Sequence, residues 1–158
     1  MIALLLVMLG SSAIVTTMAE SRVRATSTVK FSTAFRLATE LSDWARQGGL
    51  RALDPATENP FDLVDALDAE LNCFSNSCTA EDAALFYLYH WRRRLLLEVR
   101  DARVVICRDL LATRADQYAW ECEEDESNSK SRVIKIGWVQ GSRPGLDEFP
   151  PRLVLALG

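Results

Sequence analysis

Lys30-Phe-Ser-Thr-Ala-Phe-Arg-Leu-Ala-Thr-Glu-Leu-Ser-Asp-Trp-Ala-Arg46 is the stretch whose reading decides the fold. Phe31, Ala34, Phe35, Ala38 and Leu41 recur at helical spacing, with Leu37 and Trp44-Ala45 beside them. Lys30, Arg36, Glu40, Asp43 and Arg46 occupy the opposite face. That pattern predicts an amphipathic helix that must pack on something. Gly48-Gly49 supply its stop.

Upstream, nothing between Ser11 and Gln47 breaks a helix, since neither Gly nor Pro occurs there. Met1 to Ala19 carry no charge and are apolar enough to span the hydrocarbon of a bilayer. A cleaved signal peptide needs a basic leading region, which is absent, although Ser11-Ser12-Ala13 offers a small-residue site. The reading adopted is one helix over residues 1–47, ~70 Å long at about 1.5 Å per residue. Its first part, 1–19, is the transmembrane or bundle-core half, and 20–47 is the amphipathic half. The apolar run opens directly at Met1 without an upstream flank, so its start is expected to lie before Met1. Arg22, Arg24 and Lys30 follow the run, and charge alone would leave the remainder in the cytoplasm.

The four cysteines argue for the other side of the membrane. Cys73, Cys78, Cys107 and Cys122 are an even set next to a membrane-targeting segment, which points to disulfides in an oxidising compartment. Of three pairings, the short loop Cys73-Phe-Ser-Asn-Ser-Cys78 favours Cys73–Cys78 and leaves Cys107–Cys122; four reduced, buried cysteines are the plainer alternative. Their spacing does not suit zinc, and His90 is the single histidine.

Residues 48–158 read as a globular domain. Asn59-Pro60 marks a helix start, with Phe61, Val64, Leu67 and Leu71 as its buried side. Thr79-x-x-Asp82 resembles a capping box opening a helix to about Val99, with Ala84, Leu88, Trp91, Leu95 and Val99 on one face. From Arg103 the period turns strand-like. Four runs follow: Val104–Cys107, the weaker Tyr118–Cys122, Val133–Val139 and Leu153–Leu157. In the third, Ile134, Ile136 and Trp138 share a face. The expectation is an α+β fold, a long N-terminal helix packed on a four-stranded, mainly antiparallel sheet. Trp91, Trp120 and Trp138 read as core.

No catalytic constellation stands out. The seven glycines form no phosphate loop, and neither G-x-S-x-G nor H-E-x-x-H is present. The acidic run Glu121 and Glu123–Glu126 lacks the alternating ligands of a calcium loop and reads as a solvated turn. We therefore expect no enzyme, metal or cofactor. Net charge is −4, with the part beyond residue 47 more acidic still, which disfavours nucleic acid as a partner. Arg92-Arg93-Arg94 is the one basic patch; it reads as a solvated helix face or as a contact with an acidic partner or lipid phosphates.

Several of these stretches carry a resemblance. Asn72-Cys73-Phe-Ser-Asn-Ser-Cys78-Thr-Ala-Glu-Asp82 looks like the cysteine loop of the PilV family of type IV pilus modification proteins, which are minor pilins. Tyr89-His-Trp91, Leu95, Val104-Val-Ile-Cys107-Arg-Asp109, Cys122 and Val133-Ile-Lys-Ile-Gly-Trp138 continue in the same order. Met1-Ile-Ala-Leu-Leu-Leu-Val-Met-Leu-Gly10 resembles the family's first helix just after its processing motif. The resemblance implies a type IV pilin-like fold and a structural role in the priming or tip complex of a pilus. The implied partners are other minor pilins and the major pilin. The implied location is the inner membrane with a periplasmic domain, then the extracellular pilus. The basic leader, the Gly-Phe-type cleavage site and the glutamate of such prepilins are not in this sequence; a start assigned too late, or a protein that cannot be processed, would each account for that. A type II secretion pseudopilin and a membrane-anchored periplasmic enzyme or binding module are the alternative readings.

Overall fold

A computed structural model describes residues 2–53, 59–65, 72–109, 119–122, 131–139 and 149–157, the side chains of 2–20 and 22–24 excepted. Helix α1 runs Ile2–Arg46, α2 Pro60–Asp65 and α3 Ala80–Glu98. Strands β1 (Ala102–Arg108), β2 (Arg132–Trp138) and β3 (Leu153–Ala156) form one antiparallel sheet in the order β1-β2-β3.

Each boundary has a local cause. α1 ends where Gly48 takes φ 97°, a conformation that a side chain resists, and its N–H bonds back to the Ala45 carbonyl at 2.9 Å. A 3-10 turn, Gly49–Ala52, follows. α2 opens at Asn59-Pro60 as its sequence suggests. The Asn59 carboxamide oxygen accepts from the Phe61 N–H at 3.3 Å and, at 3.2 Å, from the Ile106 N–H of β1. α3 begins with a complete capping box. Thr79 Oγ1 accepts from the Asp82 N–H at 3.1 Å, and Asp82 Oδ2 accepts from the Thr79 N–H at 3.2 Å.

The helices cover one face of the sheet. Ala34, Leu37, Ala38 and Leu41 of α1 meet Leu85, Leu88, Trp91 and Leu95 of α3 over Val104, Ile106, Ile134, Ile136 and Trp138. α2 adds Phe61 and Val64. The Trp91 indole N–H donates to the Leu37 carbonyl at 3.0 Å, so the ring is both packed and satisfied. All five residues expected on the buried side of α3 are there. The expected stripe on α1 is rotated: Phe31 and Phe35 remain 45% and 48% exposed, while Leu37 is fully buried. Of the side expected for α2, Leu67 and Leu71 lie outside the described residues.

The expected type IV pilin-like arrangement, with a long helix packed on four strands, is overturned. The sheet among the described residues has three strands, and its helical cover is shared by three helices, with Ala34 the first of the described α1 side chains in the core. The run expected to be a strand at Tyr118–Cys122 is not one over Ala119–Cys122; Tyr118 lies outside the described residues. The reason is visible in its hydrogen bonds. The carbonyls of Ala119 and Glu121 accept from the Lys135 ammonium at 3.0 and 2.7 Å, not from a neighbouring strand. This segment lies on the outer face of β2, where the Trp120 ring comes so near Gly137 that a Cβ there would stand 2.8 Å from it. β2 is consequently buried on both faces.

Of the apolar run 1–19, expected to be the membrane half, Met1 lies outside the described residues and the side chains of 2–19 are not described. Among the described residues no helix is long and apolar enough to cross a membrane.

Candidate interaction surface

Two disulfides are present, and they are the expected ones. Cys73–Cys78 has a Cα separation of 5.6 Å and Cys107–Cys122 of 6.1 Å. The first fastens a short loop against the start of α3. The second ties the segment Ala119–Cys122 to β1.

The small loop presents Phe74, which is 86% exposed. Its ring meets Phe86 edge-on at 5.1 Å and His90 at 6.0 Å. His90 in turn lies 4.3 Å from Phe86 and 5.3 Å from Tyr89. The periodicity of α3 explains the grouping: Phe86, His90, Arg93 and Leu97 are three or four residues apart and share one side. Leu97, at the far end, is 71% exposed. This side of the helix is therefore an aromatic cluster at one end and an apolar tip at the other, with Arg93 between. A shallow cavity of about 410 Å³ flanks it, walled by Tyr87, His90, Arg93, Arg94 and Leu97.

The three consecutive arginines are separated by the helical turn. Arg92 pairs with Asp65 of α2 and lies over the Phe61 ring, 5.7 Å from its centroid. Arg94 pairs with Glu40 of α1 and reaches Glu98 at 4.0 Å. Its hydrogen bond to Glu40 raises the guanidinium above its usual value. Burial, reinforced by Glu40, likewise raises the Tyr87 phenol. Arg93 makes no ion pair among the described residues and is exposed. The patch is thus two intramolecular braces around one outward charge. That division follows from 100° per residue and was not drawn from the sequence, which treats the triplet as one patch.

The Phe74–Phe86–His90 cluster was also missed. Phe74 lies in the loop that Cys73–Cys78 closes just before α3, where its own spacing gives no sign of the contact. Chemically the surface offers aromatic faces, an edge of imidazole and one guanidinium, which suits docking of a protein segment. Among the described residues no three His, Cys, Asp or Glu side chains come together to hold a metal ion. Of the acidic run, Glu121 is exposed, and Glu123–Glu126 lie outside the described residues.

Compared with known proteins, the chain matches no family model, no curated protein and no solved structure.

Proposed function

We propose that this chain is a structural subunit of a bacterial type IV pilus, a minor pilin that acts in the priming or tip complex. The observation that carries the reading is the ordered resemblance from Asn72 to Trp138, anchored on the four cysteines. Two disulfides support an oxidising compartment, because thiols in the cytoplasm are kept reduced. The exposed aromatics of α1 and of the small loop beside α3 support a role in contacts between proteins: Phe31 and Phe35 stack 6.5 Å apart on the helix, and Phe74 on the loop leads the cluster with Phe86 and His90 of α3. Arg93 is a partner contact in this reading, and Arg92 and Arg94 hold its helix in place.

The partners are other minor pilins and the major pilin. The chain resides in the inner membrane with its disulfide-bearing part in the periplasm, and passes into the extracellular fibre on assembly. It takes no cofactor and catalyses nothing.

Deletion of the gene in its piliated host tests this. Surface pili are expected to fall sharply and to return with the intact gene. They should not return with a Phe74→Asp, Leu97→Asp double variant that still accumulates in disulfide-bonded form. Normal piliation combined with failed protein secretion would move the chain to a type II secretion pseudopilus. Normal piliation and normal secretion would overturn the structural reading altogether.

A further inference from the structure

The two disulfides sit in different surroundings. Cys107 lies within β1 and is 3% exposed, so one end of its bridge to Cys122 is closed to solvent. Cys73 and Cys78 are both partly exposed, and Phe74 to Ser77 between them are all exposed. Exchange of a disulfide requires a thiolate to reach one of its sulfurs, and access therefore separates the two bridges.

Opening the outer bridge has a confined consequence. The loop carries a turn of its own: the Asn72 carboxamide oxygen accepts from the Phe74 N–H at 3.0 Å, and the Asn72 carbonyl accepts from the Asn76 N–H at 3.2 Å. The start of α3 is held by the capping box of Thr79 and Asp82, which uses neither cysteine. Leu88, Trp91 and Leu95 anchor the helix on its other side. The residue with least to hold it is Phe74. It adjoins Cys73, is largely exposed, and meets α3 through ring contacts with Phe86 and His90. Such contacts are small beside the chain entropy that a freed loop regains.

We propose that Cys73–Cys78 is a thiol-exchange site for a dithiol reductant, and that its opening takes Phe74 off the aromatic side of α3. One thiolate of the dithiol attacks a loop sulfur and forms a mixed disulfide, and the other loop sulfur leaves as a thiolate and takes up a proton. The second thiolate of the dithiol then closes a disulfide within the donor and releases the remaining loop sulfur, which is protonated in turn. Two electrons and two protons pass to the pair, which ends as two thiols, while the donor ends oxidised. The closed loop displays the Phe74–Phe86–His90 cluster and the open loop dismantles it, so the docking surface is under redox control. The proposal rests on that surface and is independent of the pilus reading.

The test is graded reduction of the full chain, in detergent, by dithiothreitol at fixed pH. Freed thiols are blocked with N-ethylmaleimide and located by mass spectrometry. Cys73 and Cys78 should be labelled roughly tenfold or more faster than Cys107 and Cys122. The selectively reduced protein should keep a single cooperative thermal transition. His90 is the one histidine of the chain, so its ring-proton signals report on the cluster directly. On reduction they should move to the positions they hold in a Phe74→Ala variant, and in that variant reduction should leave them where they are. Labelling of Cys107 and Cys122 first or at the same rate, loss of the cooperative transition on selective reduction, or unmoved His90 signals would each overturn the proposal.

Discussion

Lys135 is the residue on which the outer face of the sheet depends. It is 3% exposed in the middle of β2, yet its ammonium is fully used: Ala119 and Glu121 offer carbonyls, and the Asp109 carboxylate lies 2.5 Å away. Three N–H donors thus have three acceptors. Removing one partner of a buried ion pair leaves the other uncompensated, at roughly 3–5 kcal/mol. Lys135→Met keeps the aliphatic stem and deletes the charge. It is expected to lower the unfolding free energy by about 3 kcal/mol in urea denaturation. Adding Asp109→Asn should recover part of that loss, because the orphaned charge goes with it. A loss below about 1 kcal/mol would show that water reaches these acceptors instead. The surface pair Arg36–Glu98, at 2.6 Å but well exposed, should matter far less.

Among the elements, the two helix starts invite comparison. Thr79→Ala removes one capping oxygen and should cost about 1 kcal/mol in thermal unfolding. Asn59→Ala should cost more, about 2 kcal/mol, because the same oxygen serves the first turn of α2 and the Ile106 N–H of β1. Equal losses would mean that the bond to Ile106 contributes nothing. Both starts were legible in the chain, as were Gly48-Gly49, the buried side of α3, three of the strands and the cysteine pairing. Each rests on near neighbours in sequence or on a period. What was not legible depends on distant residues. Lys135 alternates with Ile134 and Ile136 and so reads as facing solvent; only the segment at Ala119–Cys122 buries it. That segment alternates well enough to read as a strand, but its carbonyls were claimed by a side chain. Phe31 and Phe35 have the spacing of core residues, and whether a helix turns them inward depends on where α3 and β3 sit. Of the interaction surface, the arginine triplet was legible as charge, and its division into braces and one outward group was not.

On the scale of the whole molecule, the two disulfides should be unequal. In the chain-entropy account a bridge stabilises in proportion to the logarithm of the loop it closes. Cys107–Cys122 spans 15 positions and Cys73–Cys78 spans 5, which corresponds to about 3 and about 2 kcal/mol. The Cys107→Ser, Cys122→Ser variant should therefore melt below the Cys73→Ser, Cys78→Ser variant. It should also show faster hydrogen exchange in β2, since the Ala119–Cys122 segment would then lose its covalent tie to β1. The reverse order would show that the small loop, through Phe74 and α3, supports more of the fold than its length implies. One further consequence follows from two modest hydrogen bonds. A three-stranded sheet has two open margins, and an unpaired margin is a template on which another chain can grow. Here Asn59 occupies the Ile106 N–H on one margin, and the Ser42 hydroxyl occupies the Ala156 carbonyl on the other at 2.9 Å. Side chains borrowed from the helical layer thus act as guards against strand-to-strand aggregation.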